Sequence, residues 1–105
     1  MRMWKVPPRL MCDQHLLGEH AEMHMFIGTI RHGISLAGYI TGGLVETHRI
    51  VKRHDQLAAE MTRRGMNHRS PLRCRPLAPA GRVNVRANLK ELARRCRRCR
   101  KIQNA

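Results

Sequence analysis

Residues 13–32 read DQHLLGEHAEMHMFIGTIRH, and this stretch decides the fold class. Its less polar positions recur three and four residues apart, which places on one helix face Leu16, His20, Met23, Ile27 and Ile30. Asp13 is a residue type that caps helix starts, and Gly33 is one that ends helices. The pattern predicts a long helix that begins between residues 10 and 13 and ends near residue 32.

Two further helices are predicted downstream. Residues 33–43 contain four glycines, which predicts a loop. A second helix is predicted from about residue 44 to residue 64, with Gly65 as its stop signal. Residues 66–83 contain three prolines and predict an irregular connection. A third helix is predicted from Asn84, a good cap residue, to about residue 98.

The termini and the absence of strand patterns complete the predicted architecture. No stretch shows the apolar–polar alternation that is typical of a strand. We therefore expect an all-α fold, a single compact domain of about three helices that spans residues 1–105. Residues 1–9 include Pro7-Pro8 and predict a basic N-terminal arm, and residues 94–105 predict a basic, frayed tail.

The charge of the chain points to a polyanionic partner. Lysine and arginine number 21 against 7 acidic residues, which gives a formal charge of +14 over 105 residues. Such a field attracts nucleic acid first and an acidic membrane surface second. Aromatic residues make up only 3% of the chain, which argues against a platform that stacks single-stranded bases. We expect double-stranded DNA as the partner, no small-molecule substrate, and a monomer.

No stretch of the sequence predicts a membrane segment or a signal peptide. The longest mostly apolar run, Met23 to Ile30, is interrupted by His24 and is too short to span a bilayer. We expect no membrane association and an intracellular, cytoplasmic protein. In that compartment cysteines are thiols or metal ligands rather than disulfides.

The four cysteines include one short pair, Cys96-Arg-Arg-Cys99. This spacing is typical of half of a zinc knuckle. Cys74 lies 22 residues upstream and Cys12 is distant in sequence, so four cysteines, or three with a histidine, could converge on one zinc ion. The alternative is a set of reduced thiols on a basic helix end. We name Cys74, Cys96 and Cys99 as candidate ligands of a structural zinc and expect no cofactor to be required.

The predicted first helix carries two glutamates, Glu19 and Glu22, on one side. Glu22 is followed four residues later by Phe26, so it borders the apolar face. A half-buried carboxylate there could serve as a general acid or base. The alternative is that these glutamates form ion pairs with arginines.

Met1 could supply a nucleophile of a different kind. Arg2 is too large for removal of the initiator methionine, so we expect Met1 to be retained. A protein α-amine has a pKa of about 7.7–8, so a useful fraction is neutral and can attack an electrophilic carbon.

Three segments resemble the phage pyrimidine dimer DNA glycosylases of the endonuclease V type. Residues 13–22, DQHLLGEHAE, resemble that family's Asp-Gln-His-Leu-x-x-Glu-x-x-Glu segment. Residues 28–31, GTIR, are similar to its Gly-x-Val-Arg, and residues 63–67, RRGMN, are similar to its basic-Arg-Gly-Phe-Asn. The resemblance covers about residues 1–70.

The resemblance implies a helical DNA glycosylase whose N-terminal α-amine displaces the damaged base at the sugar C1′. An imine to DNA results, and β-elimination breaks the strand. Carried over by position, Met1 is the nucleophile and Glu22 assists it. Arg2, Gln14 and Arg31 contact DNA. Asp13 lies twelve residues after Met1, which is the spacing between that family's processed terminal residue and its Asp.

The sequence departs from that family in two places. Two family arginines that contact phosphates correspond to Ala21 and Met25 here. The family's aromatic C-terminus is replaced by the arginine-rich tail with its Cys-x-x-Cys pair. We expect the cations of residues 94–101 to replace the missing phosphate contacts.

The sequence thus favours a DNA repair glycosylase with abasic-site lyase activity on UV-damaged duplex DNA. Two alternatives stay open. The first is a non-catalytic, basic nucleic-acid-binding module stapled by zinc, which would contain metal and cleave no strand. The second is a phosphodiesterase with a metal on its histidines, which would lose activity in chelator.

Overall fold

The computed structural model describes all 105 residues and contains only helices and connecting segments. The five α-helices are α1 (Asp13–Arg31), α2 (Ala37–Thr41), α3 (Ile50–Arg63), α4 (Val85–Arg95) and α5 (Arg97–Gln103). Short 3₁₀ turns cover Pro8–Leu10 and Thr47–Arg49. The all-α prediction is confirmed, and none of the helices is long and apolar enough to cross a membrane.

Helix α1 is the centre of the fold. It begins and ends close to the predicted positions, but its cap is the Cys12 thiol, which accepts a hydrogen bond from the His15 amide at 3.5 Å, and not Asp13. Its predicted apolar face packs mainly against α3. The buried side chains at this interface include Leu16, Met23 and Ile27 of α1 and Leu57 and Met61 of α3.

The predicted number of about three helices is wrong, for three local reasons. The expected loop 33–43 contains the short helix α2. The second long helix starts at Ile50 rather than near residue 44, because Glu46 keeps an extended backbone while its carboxylate accepts the Val83 amide hydrogen bond at 2.8 Å. The third helix is interrupted at Cys96, whose extended backbone lets its sulfur cap α5 by accepting the Cys99 amide at 3.4 Å.

The N-terminal segment, which was predicted as a basic arm, is packed into the fold. Met3 and Val6 are fully buried, Trp4 is nearly so, and the Met3 amide donates to the Leu44 carbonyl at 2.7 Å. The predicted frayed tail is helix α5, which buries Cys99. The N-terminal arm was predicted from its charge and its prolines, and the tail from its charge. In the structure, burial of a few apolar side chains decides the conformation of both ends.

A buried ion pair joins the two main helices. Arg53 of α3 donates through Nε and Nη2 to the two carboxylate oxygens of Glu19 in α1, at 2.6 and 2.8 Å. Both side chains are almost completely excluded from solvent, at 3% and 0% exposure. In this bidentate geometry both carboxylate oxygens accept a hydrogen bond, and the pair links α1 to α3 in one register.

We predict that Arg53→Met lowers the free energy of unfolding by about 3–5 kcal/mol, because it leaves the Glu19 carboxylate buried without a counter-charge. Urea unfolding followed by circular dichroism measures the change. The double variant Glu19→Gln/Arg53→Met removes both charges and should be clearly more stable than Arg53→Met alone. A cost below about 1 kcal/mol for Arg53→Met would mean that the pair behaves as a surface salt bridge.

Four histidines form a second polar cluster between α1, α3 and the connection that follows α3. The Nε2 atoms of His24, His54 and His68 lie 3.1, 2.9 and 3.1 Å from the Ser70 carbonyl oxygen. The ring of His20 lies 4.6–5.1 Å from those of the other three, and its buried Nε2 has no hydrogen-bond partner.

Burial, and to a smaller extent the neighbouring imidazoles of His54, His24 and His68, together lower the pKa of His20 to about 4. The facing acidic group is Asp55, which lies 2.9 Å from Nδ1 of His54. Since the unfolded chain takes up this proton near pH 6.5 and the folded protein only near pH 4, the contribution of His20 to stability is complete above pH 6.5.

We therefore predict that the free energy of unfolding falls as the pH is lowered from 6.5 towards 4, by up to about 1.4 kcal/mol per pH unit for this one group. Urea unfolding at several pH values measures the slope for the wild type and for His20→Gln. The variant should show a shallower slope over this window. Equal slopes would remove His20 from the pH response.

Candidate active site

A pocket of about 700 Å³ opens between the N-terminal segment and the first half of α1. Gln14, Gly18 and Glu22 lie four residues apart on α1 and form one wall. Met1 and Arg2 form the opposite wall. The structure therefore brings together four of the five predicted site residues, although 21 positions separate Met1 from Glu22 in the chain.

The Glu22 carboxylate stands beside the chain terminus. Its Oε2 accepts a hydrogen bond from the Arg2 backbone amide at 3.3 Å, and its carboxylate forms no ion pair with any lysine or arginine side chain. Burial raises the pKa of Glu22, while the Arg2 amide and the positive charge of the Met1 amine oppose that rise. The sequence left open whether these glutamates could act as a general acid or base or form ion pairs with arginines. In the structure Glu19 forms an ion pair with Arg53, whereas Glu22 is a free carboxylate.

Arg2 makes two contacts at the edge of this pocket. Its guanidinium lies 4.0 Å from the centre of the Trp4 ring, and Nη2 donates to the Asn88 side-chain oxygen at 2.7 Å. Burial lowers the pKa of Arg2, and the nearby charge of Arg95 adds to this effect. Arg2 keeps its charge at neutral pH, so the pocket has a fixed cation at its rim.

Two residues of this neighbourhood, Trp4 and Asn88, were not predicted from the sequence, and Arg95 was predicted only as one of the tail cations that contact phosphates. Arg95 lines the pocket and lies 5.9 Å from the Trp4 ring, on which Arg2 also stacks. Asn88 is buried and donates to the Trp4 carbonyl at 2.8 Å, so α4 braces the N-terminal segment. Trp4, the single tryptophan of the chain, was the available signal, whereas nothing in the sequence distinguishes Asn88.

Arg31 is the predicted site residue that lies elsewhere. It is the last residue of α1, and its guanidinium donates to the Arg73 carbonyl. Together with Arg73 and Cys74 it lines a separate shallow groove. If it contacts DNA, it does so away from the Met1–Glu22 pocket.

The candidate metal ligands are regrouped by the fold. Cys74 lies beside Arg31 and does not join Cys96 and Cys99, so that part of the predicted set is wrong. The residues that do gather are Cys12, His15, Cys96 and Cys99, whose Sγ and ring nitrogen atoms all lie within 4.8 Å of one another. His15 also lines the pocket, so this group borders it directly.

The histidine cluster lies on the other side of α1. At about 100° per residue, His20 and His24 are displaced by about 160° from Glu22 around the helix axis. The cluster faces α3 and the Ser70 carbonyl, not the pocket. The phosphodiesterase alternative therefore gains no support from the pocket, which contains only His15 of the 7 histidines.

Comparison with known proteins identifies the family of this chain. Residues 1–73 match a family model described as pyrimidine dimer DNA glycosylase. No curated protein and no solved structure matches the chain. The matched region contains the N-terminal segment, α1 and α3, and with them both walls of the pocket. Since the match covers more than two thirds of the sequence, the chain belongs to the pyrimidine dimer DNA glycosylase family.

Proposed function

We propose that this protein, acting as a monomeric single domain, removes a damaged pyrimidine from UV-irradiated duplex DNA and then cleaves the strand at the resulting abasic site. The Met1 α-amine is the nucleophile and Glu22 is the acid/base group. The observation that carries the proposal is the pocket in which the terminal residue and a half-buried, unpaired carboxylate face each other. Membership of the glycosylase family supports the DNA substrate.

In the proposed reaction the neutral Met1 amine attacks C1′ of the damaged nucleoside. The bond from C1′ to the base nitrogen breaks, and the electron pair leaves with the base. The nitrogen carries two protons after the attack and loses one of them. The sugar ring opens between C1′ and O4′ and the ring oxygen takes a proton, which leaves a protonated imine between the nitrogen and C1′. This chemistry needs no metal or organic cofactor, because an amine and a carboxylate supply every group that it uses.

Glu22 carries the protons of these steps. A carboxylate with a raised pKa can give a proton to O4′ at ring opening and take one from the attacking amine. Removal of a C2′ proton from the imine then expels the 3′ phosphate by β-elimination. While it is ionised, the same carboxylate stabilises the cationic intermediate at C1′.

The rim cations position the DNA. Arg2 and Arg95 lie on the same tryptophan ring at the mouth of the pocket and provide two charges for backbone phosphates. Gln14 lies on the wall of the pocket, where it can hydrogen-bond an extruded base. Arg31 contacts a phosphate further along the duplex. A lesion weakens stacking, so extruding its nucleotide costs less than in intact DNA.

We predict that Glu22→Gln lowers the rate of strand cleavage on UV-irradiated duplex by about 10²–10⁴-fold, because the amide cannot exchange protons. Affinity for the same duplex should change little, because Gln keeps the size of the side chain. Single-turnover gel assays measure the rate, and fluorescence anisotropy measures the affinity. Asp55→Asn, which removes an exposed carboxylate on α3, is the matched control. Wild-type cleavage by Glu22→Gln would remove Glu22 from its proposed role.

A covalent-trapping experiment tests the nucleophile. Untagged protein, whose first residue is established by intact mass, is incubated with UV-irradiated duplex and with abasic-site duplex in the presence of borohydride. We predict a reduced protein–DNA adduct on both substrates, mapped by peptide mass spectrometry to the Met1 nitrogen. The reaction is run with and without EDTA, and the adduct should form in both.

The outcomes of trapping separate the alternatives. An adduct on abasic DNA alone supports the lyase step and contradicts excision of pyrimidine dimers. An adduct on a lysine side chain contradicts Met1 as the nucleophile. Tight binding with no adduct on either substrate contradicts the enzyme and favours the non-catalytic DNA-binding module.

A further inference from the structure

A group of four ligating side chains lies next to the pocket and plays no part in the proposed reaction. Cys12 and His15 belong to the start of α1, and Cys96 and Cys99 to the junction of α4 and α5. Each pair has two residues between its members, although the pairs are more than 80 positions apart in sequence. Cys12 and Cys99 are buried, and Cys96 and His15 are half-buried.

Two distances within the group are close to those expected around a tetrahedral metal. With zinc–sulfur bonds of about 2.3 Å and zinc–nitrogen bonds of about 2.0–2.1 Å, a tetrahedron separates two sulfurs by about 3.8 Å and a sulfur from a nitrogen by about 3.6 Å. The Cys12 and Cys96 sulfurs lie 3.8 Å apart, and the Cys12 sulfur lies 3.3 Å from Nδ1 of His15. A disulfide requires about 2.05 Å between sulfurs, so none of the cysteines is paired in that way.

Backbone amides surround the sulfurs as they do around metal-bound thiolates. The Cys12 amide donates to the Cys99 sulfur at 3.2 Å, the His15 amide to the Cys12 sulfur at 3.5 Å, and the Cys99 amide to the Cys96 sulfur at 3.4 Å. Each of the three sulfurs thus accepts a backbone hydrogen bond. Such donors stabilise the charge of thiolates and orient them toward a metal.

We propose that Cys12, His15, Cys96 and Cys99 bind a single zinc ion through three thiolates and Nδ1 of the imidazole. Four protein ligands close the coordination sphere, so the zinc is structural and carries no reacting water. Its effect is mechanical: it joins the start of α1 to the junction of α4 and α5. No bond is made or broken in DNA by this site.

The position of the zinc ties it to the pocket. Arg95, which lines the pocket, directly precedes the ligand Cys96, and the ligand His15 packs edge-on against Trp4 with 6.2 Å between ring centres. The zinc therefore holds the wall that carries Arg95 and the ring on which Arg2 stacks. Cys96 and Cys99 lie beyond the region that matches the family model, so the site is built partly from the C-terminal third of the chain.

Metal analysis of the untagged, full-length protein tests this assignment. Protein purified in reducing buffer is measured by inductively coupled plasma mass spectrometry. We expect equimolar zinc in the wild type and near-complete loss of zinc in Cys96→Ser and in Cys99→Ser. Cys74→Ser is the matched control, because Cys74 lies outside the group and should leave the zinc content unchanged. Zinc retained by Cys96→Ser/Cys99→Ser would place the metal elsewhere and overturn the proposal.

Two measurements keep the test valid if the cysteine variants misfold. Wild-type protein reconstituted with Co²⁺ should show intense near-ultraviolet thiolate-to-cobalt absorption and the visible bands of a tetrahedral site. His15→Cys should retain metal, since it supplies a fourth thiolate, whereas His15→Ala should release metal faster to a chelator. Failure of the wild type to bind Co²⁺, binding without thiolate absorption, or a Cys12–Cys96 disulfide found by non-reducing mass spectrometry would each overturn the proposal.

Trp4 provides a readout of the mechanical role. It is the only tryptophan, so the fluorescence of the protein reports directly on its contact with His15. Zinc release should shift the Trp4 emission to longer wavelength, and adding zinc back should reverse the shift. Emission that is the same with and without bound zinc would contradict the link between the zinc and the pocket wall.

Discussion

The pocket depends on the burial of the N-terminal segment against α1 and the connection before α3. Met3 and Val6 are fully buried, and the Met3 amide is bonded to the Leu44 carbonyl. Each such side chain contributes about 1.5–3 kcal/mol when it is buried. Because two residues span at most about 7 Å, anchoring Met3 confines Met1 to the immediate vicinity of the pocket.

The two glutamates of α1 lie in different environments. Glu19 faces α3 and is neutralised by Arg53 in a dry interface. Glu22, three residues later, is turned toward the N-terminal segment and receives a backbone amide rather than a cation. Of the 7 acidic side chains, only Glu22 and Asp55 form no ion pair with a lysine or an arginine. The cations of Arg2 and Arg95 lie on the Trp4 ring and form no ion pair with Glu22.

The C-terminal third completes a site whose main parts lie in the family-matched region. Asn88 braces Arg2 and Trp4, Arg95 adds charge at the rim, and the cysteines of the α4–α5 junction meet the start of α1. Met25, at a position where the resembling family has an arginine, is exposed and offers no phosphate contact. The basic residues of α4 and α5 therefore supply charge that α1 lacks.

The helical class, the limits of α1 and the family could be predicted before the structure, because apolar spacing and the segment from residue 13 to residue 22 are local patterns. The sequence also indicated Met1, Arg2, Gln14 and Glu22 through the resemblance. Only the folded structure shows the burial of Met3, Trp4 and Val6, the break at Cys96 and the ion pair of Glu19 with Arg53. It also replaced Cys74 by Cys12 and His15 in the cysteine cluster. These outcomes depend on contacts between residues far apart in the chain, such as Arg53 with Glu19 and Asn88 with Arg2, and no local spacing encodes such contacts.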